Sequence, residues 1–268
     1  MSFVVNDTLH RAGIALRSKI LGEERVRRAL ESEDDLIEYH HLLGHECAYA
    51  QVWSRAGLTP KTRSLVAFAM LAALTPRGET LKVHIRGAVR NGATRAEVRQ
   101  VLATISFYLG AGIGTDAIKS AREEFAAMEH ESMPVSATAS AVDDTRIEAV
   151  DTVAKRGKVM RERLFGVETP AVVDDGDAGF AYEGLKTDYY FGVLWSDDAL
   201  PPALRVLVVI GILCASNRLA QLKVYLRAAQ RLGCNHGEIK EVFLTACIYC
   251  GAPACEDGLA AAREIFPA

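Results

Sequence analysis

The chain has 268 residues, 50% of them hydrophobic, enough to bury a sizeable core in one large domain or two ordinary ones. Its 31 basic and 34 acidic side chains leave a formal net charge of −3, with no basic run or aromatic-interleaved basic stripe, so nucleic acid is excluded as an expected partner. The apolar runs at 65–74 and 206–215 are too short to span a bilayer, and the start MSFVVNDTLHRAG lacks the pattern of a secretory leader; a cytoplasmic protein with no membrane partner is expected.

In chain order, the first strongly patterned segment is LTPKTRSLVAFAMLAAL at 58–74. Thr59 is placed to cap a helix, Pro60 takes the first helical position, and the unbroken apolar stretch predicts a helix buried on most sides. Next, Leu81, Ile85, Ala88 and Val89 share one face at helical spacing, and Asn91-Gly92 closes that helix. Thr94-Arg95-Ala96-Glu97 is a capping box, opening a helix whose apolar face runs Val98, Val101, Leu102, Ile105, Tyr108 and Leu109. Residues 129–144 are small, polar and proline-bearing with no apolar period, which reads as a linker.

Beyond the linker the pattern returns. LPPALRVLVVIGILCAS at 200–216 matches 58–74, and 222–253 aligns with 81–112, placing Arg86 on Arg227, Gly92 on Gly233, Glu97 on Glu238, Tyr108 on Tyr249 and Gly110 on Gly251. Upstream, Trp53 matches Trp195, and Arg17 with Gly22 matches Arg161 with Gly166. Asn235 to Glu238 repeats the capping box. Nothing alternates like a strand for more than a few residues, so the expected class is all-α, with two tandem units at 1–128 and 145–268 joined by 129–144.

The cysteines (Cys47, Cys214, Cys234, Cys247, Cys250, Cys255) do not form a secreted disulfide framework, and reduced thiols are expected. Cys247 and Cys250 have redox-pair spacing but lie in an apolar helical stretch without a second pair, and read as small core residues. His41 and His45 share a helical face beside His40 and Glu46, yet no third ligand is positioned; a polar helix surface is the reading and no metal is expected.

The stretches VWSRAGLTPKTRSLVAFAMLAAL, HIRGAVRNGATRAEVRQVLATISFYLGAG and AIKSAREEF resemble the carboxymuconolactone decarboxylase family from end to end. The resemblance spans roughly 11–125 and, more weakly, 156–266. It implies the alkylhydroperoxidase-like (AhpD-like) helical fold, rings of interlocked subunits, and no metal or organic cofactor. For a fused pair of units it further implies a homotrimer built as a pseudo-hexamer.

The implied chemistry is decarboxylation of a carboxymuconolactone-like lactone in aromatic-compound degradation. The conjugated carbonyl takes the electron pair, and the protein holds carboxylates, stabilises the oxyanion and protonates carbon. His84 shares a face with Leu81, Ile85 and Ala88 and so points inward. Spacing alone fits a core histidine bonded to a backbone carbonyl; the resemblance makes it the acid/base residue. The family's glutamate four positions earlier is Thr80 here, with Glu79 one place off, about 100° around the helix; Glu79 is the second candidate acid. Arg55 is the candidate carboxylate clamp, and Gln51, Trp53 and Tyr225 complete the candidate substrate-binding set. Arg63, kept as Arg205, reads instead as a structural ion pair or helix cap. Tyr225 replaces histidine in the second unit, and Asp197-Asp198 stand where Arg55-Ala56 would be, so that unit reads as a degenerate copy kept for assembly. Two alternatives remain. One is a degenerate ligand-binding or assembly protein of the same fold. The other is an AhpD-like peroxidase, whose cysteine pair would stand where Arg77 and Thr80 are found.

Overall fold

A computed structural model describes residues 6–31, 34–136, 150–166 and 177–266. Among the described residues there is no strand, and the chain is all-α, as two tandem helical units. The first unit comprises α1 (Asp7–Leu21), α2 (Glu23–Glu31), α3 (Asp35–Leu43), a π-helical segment π1 (Gly44–Trp53), α4 (Pro60–Leu74), α5 (Glu79–Arg90), α6 (Arg95–Leu109) and α7 (Ala111–His130). The second repeats the order, apart from α2, as α8 (Val150–Phe165), α9 (Asp177–Leu185), π2 (Lys186–Leu194), α10 (Pro202–Ala215), α11 (Leu219–Arg231), α12 (His236–Tyr249) and α13 (Ala252–Ile265). α7 continues two residues into the stretch read as linker; residues 137–144 of that stretch lie outside the described residues. No described helix is long and apolar enough to cross a membrane.

The helix ends follow from local chemistry. Thr59 Oγ1 accepts from the Thr62 amide at 3.1 Å at the start of α4. Both capping boxes are complete, Thr94 with Glu97 and Asn235 with Glu238. Gly92 and Gly233 follow α5 and α11 with φ of 92° and 83°, a conformation that favours glycine.

The unbroken apolar runs become α4 and α10, which pack on each other at the centre and draw both units into one core. A Cβ on Gly211 of α10 would stand 3.2 Å from Met70 Cε and 3.3 Å from Val66 Cγ1 of α4, so glycine sets how closely these helices approach. Each central helix also carries a buried arginine into the other unit. Arg63 donates to Glu241 Oε2 at 2.8 Å and Thr245 Oγ1 at 3.0 Å on α12. Arg205 donates to Gln100 Oε1 at 3.1 Å and Thr104 Oγ1 at 3.2 Å on α6. The two units therefore pair reciprocally within one chain, and both arginines are structural.

A second reciprocal contact fixes the peripheral helices. A Cβ on Gly13 of α1 would fall 1.9 Å from the His45 carbonyl of π1, and one on Gly157 of α8 would fall 1.8 Å from the Thr187 carbonyl of π2. Any side chain there forces helix and π-segment apart, which would displace the residues both carry into the site.

Candidate active site

α5 holds His84 on its buried face, with 5% of its surface exposed. The ring borders an open cleft of about 1360 Å³ walled by α1, α2, α3, π1, α5 and the end of α12. Tyr249, from the second unit, meets His84 edge-on with ring centroids 4.9 Å apart. Trp53 stands behind: its indole N–H donates to the Tyr249 hydroxyl at 3.0 Å, and its ring stacks at 6.1 Å on Tyr49.

Two guanidinium groups face this ring. Arg17 of α1 donates through Nη1 to His45 Nε2 at 2.9 Å. Arginine can only donate, so His45 accepts and carries its own proton on Nδ1. Arg25 of α2 lines the cleft; neither it nor Arg17 makes an ion-pair contact with a carboxylate among the described residues, though the Glu124 and Glu79 carboxylates act on Arg25 from farther off. Burial first, then Arg25 and Arg17, bring the His84 pKa down to about 4. Burial, then Arg17, His10 and His41, do the same for His45, also to about 4. Both imidazoles are therefore neutral at pH 7. Two guanidinium groups outside ion-pair contact, near a neutral imidazole and a tyrosine, make up chemistry suited to an organic anion.

The sequence-selected residues divide. His84 and Glu79 both line the cleft, but Glu79 sits at its exposed rim, bound to Lys82 Nζ at 3.0 Å. Trp53 lies behind the cleft wall. Arg55 is outside the cleft, with Nε on Glu241 Oε1 at 2.6 Å, and Gln51 is exposed on π1 away from the cleft residues. Tyr225 belongs to a different place, the corresponding centre of the second unit. Sequence reasoning passed over Arg17, Arg25, Tyr49 and Tyr249 as site residues; the recurrence of Arg17 as Arg161 and of Tyr249 as Tyr108 was the signal available. Among the described residues no set of three or more His, Cys, Asp or Glu converges as metal ligands. All six cysteines are free thiols, and burial pushes the Cys250 pKa up to about 12, which disfavours the nucleophilic thiolate.

The second centre repeats the scaffold with other chemistry. Trp195 Nε1 donates to Tyr108 at 3.0 Å, and Tyr108 donates to Tyr225, the residue at the His84 position, at 2.5 Å. Trp195 and Phe165 pack on Tyr225 with ring centroids 5.9 and 5.6 Å away. Arg161, matching Arg17, is bound to Glu183 at 2.6 Å, with Lys186 2.8 Å from the same carboxylate.

Comparison with known proteins agrees with this duplication. The profile of the carboxymuconolactone decarboxylase family matches residues 45–123 and again 184–264. The 4-carboxymuconolactone decarboxylase of Acinetobacter baylyi is 35% identical over 116 residues, covering 43% of this chain and 86% of that protein. The nitrosuccinic acid decarboxylase of Metarhizium robertsii is 35% identical over 113 residues, covering 41% of this chain and 78% of that protein. With both units matched and the single-unit relatives spanned over most of their length, the chain belongs to the carboxymuconolactone decarboxylase family.

Proposed function

We propose that the protein is a carboxy-lyase that decarboxylates a small carboxylated lactone of the 4-carboxymuconolactone type, using the cleft of its first unit and no cofactor. The observation that carries this reading is the pair Arg17 and Arg25 beside His84, cations in a cleft open to solvent and in ion-pair contact with no described carboxylate. A retained substrate carboxylate pairs with the guanidinium groups, whose fork matches it. The leaving carboxylate lies against the apolar wall of Leu71, Val83 and Ile248. When its C–C bond breaks, the electron pair passes through the conjugated system to the lactone carbonyl oxygen, so the substrate supplies its own electron sink.

His84 is the acid/base residue in this scheme. A neutral imidazole gives its N–H proton to the carbon while its other nitrogen takes one from water in the cleft, so no charged histidine is required. Glu79, at the rim, is placed to assist proton exchange with solvent. The names of the two relatives support the reaction class: a lactone dienolate and a nitronate are both oxyanions left by departing carbon dioxide. Carbon dioxide release from 4-carboxymuconolactone, with nitrosuccinic acid as second substrate, tests the reading; release from neither would refute it.

The assembly belongs to the same proposal. Leu43 on α3 and its counterpart Leu185 on α9 are exposed apolar side chains, as are Tyr189 and Val193 on π2. Buried between chains, they would join three fused pairs into a ring of six units. Light scattering should then give about 87 kDa, three chains of 29.1 kDa, whereas a monomer would contradict the ring.

A further inference from the structure

Tyr249 stands at the end of α12 in the second unit, yet it lines the cleft of the first. The Trp53 indole N–H can only donate, and it fills one lone pair of the Tyr249 oxygen at 3.0 Å. The tyrosine's own proton must therefore point elsewhere, and among the described residues no group accepts it. The second centre shows where that proton goes when an acceptor is present. There the same indole-to-hydroxyl bond is followed by Tyr108 donating to Tyr225 at 2.5 Å. With His84 in place of Tyr225, the rings meet edge-on at 4.9 Å and no hydrogen bond among the described residues takes the proton of Tyr249, which is part of the cleft lining. Burial holds the Tyr249 pKa well above the ordinary tyrosine value, so the hydroxyl remains a neutral donor.

We propose that Tyr249 is a catalytic residue supplied across the unit boundary: its hydroxyl, aimed by Trp53, donates a hydrogen bond to the oxyanion that forms on the substrate as carbon dioxide leaves. The inference rests on the decarboxylase reading above. The C–C bond to the carboxylate breaks, its electron pair ends on the substrate oxygen facing Tyr249, and the carbon later receives a proton through His84. Tyr249 keeps its proton throughout. The second unit, which has lost its own histidine, thus still completes the working site.

Tyr249→Phe keeps the ring against His84 and removes only the hydroxyl. With 4-carboxymuconolactone or nitrosuccinic acid as substrate, kcat should fall about 100-fold, typical for loss of one oxyanion donor. KM should stay within about threefold, because the bond matters in the transition state rather than in the bound substrate. Tyr108→Phe strips the acceptor from Trp195 in the same way and serves as the structural control, with a comparable loss of thermal midpoint and unchanged kcat. Trp53→Phe leaves the hydroxyl present but no longer aimed, with an expected loss of about tenfold in kcat, and keeps the test open should Tyr249→Phe not fold. A Tyr249→Phe enzyme within threefold of wild-type kcat, an equal kcat loss in Tyr108→Phe, or an unchanged kcat in Trp53→Phe overturns the assignment while leaving the decarboxylase intact. Wild-type protein that releases carbon dioxide from neither substrate removes the decarboxylase reading and this inference with it.

Discussion

At the first centre an indole holds a tyrosine hydroxyl beside a histidine; at the second, an indole-to-hydroxyl bond of the same 3.0 Å length ends on Tyr108, whose hydroxyl in turn donates to Tyr225. Both buried arginines, Arg63 and Arg205, reach a threonine hydroxyl and an amide or carboxylate of the opposite unit. Those shared features each satisfy a buried polar group, and losing one leaves an unpaired donor in the core at a cost of about 1–3 kcal/mol. The charges that face solvent have diverged. Arg17 leans on a neutral histidine and has no ion-pair contact with a described carboxylate, whereas Arg161 is matched by Glu183. Arg55 and Glu241 form an ion pair where the second unit has Asp197 bonded to Gln100. The buried contacts that hold the fold are kept in both units; the surroundings of the matched arginines and of the His84 and Tyr225 positions differ.

The largest expected difference comes from the two matched arginines. Arg17→Met should lower kcat/KM about a thousandfold, the scale of breaking a buried charge-assisted carboxylate contact, while Arg161→Met leaves kcat/KM unchanged. Steady-state decarboxylation assays of both variants check this, and equal losses would erase the distinction between the centres. Next, His84→Asn should lower kcat about 100-fold with folding intact by circular dichroism.

Protonation gives a smaller effect. The His84 pKa is depressed from 6.5 to about 4 by burial and by Arg25 and Arg17, so the unfolded chain binds a proton between those values that the folded protein refuses. Stability is complete above pH 6.5 and is lost as pH falls toward 4. Between pH 7 and 5 the wild type should lose about 2 kcal/mol more than His84→Asn in urea unfolding. In the same sense, kcat/KM should be level from about pH 5.5 to 8, with no inflection at the ordinary histidine value.

The smallest effect concerns packing. Gly13→Ala and Gly157→Ala should each cost about 1–3 kcal/mol, measured as unfolding midpoints. Only Gly13→Ala should also lower kcat/KM, because α1 and π1 carry Arg17 and His45.

Much of the fold was legible because its signals are local. Thr59, Thr94 and Asn235 cap helices where a side-chain oxygen meets an amide three residues on, and the runs in α4 and α10 are apolar throughout because those helices are buried on every side. π1 and π2 were not legible: the extra residue per turn arises from how each segment packs on α1 or α8, and composition does not encode it. His84 was found because its helix face is readable from spacing. Arg17 and Tyr249 were not, since they lie far apart in sequence and reach one cleft only through the pairing of the units. Arg55 drew attention by standing in a motif, but its charge is met by Glu241, a partner from the other unit.

The central claim is that one chain contains one working site, in the first unit. Carbon dioxide release from 4-carboxymuconolactone by wild type, His84→Asn and Tyr225→Phe, assayed side by side, tests it most directly. The account predicts turnover by wild type, a loss of about 100-fold in His84→Asn, and turnover within twofold of wild type in Tyr225→Phe. Equal losses in the two variants, or a loss confined to Tyr225→Phe, would contradict it.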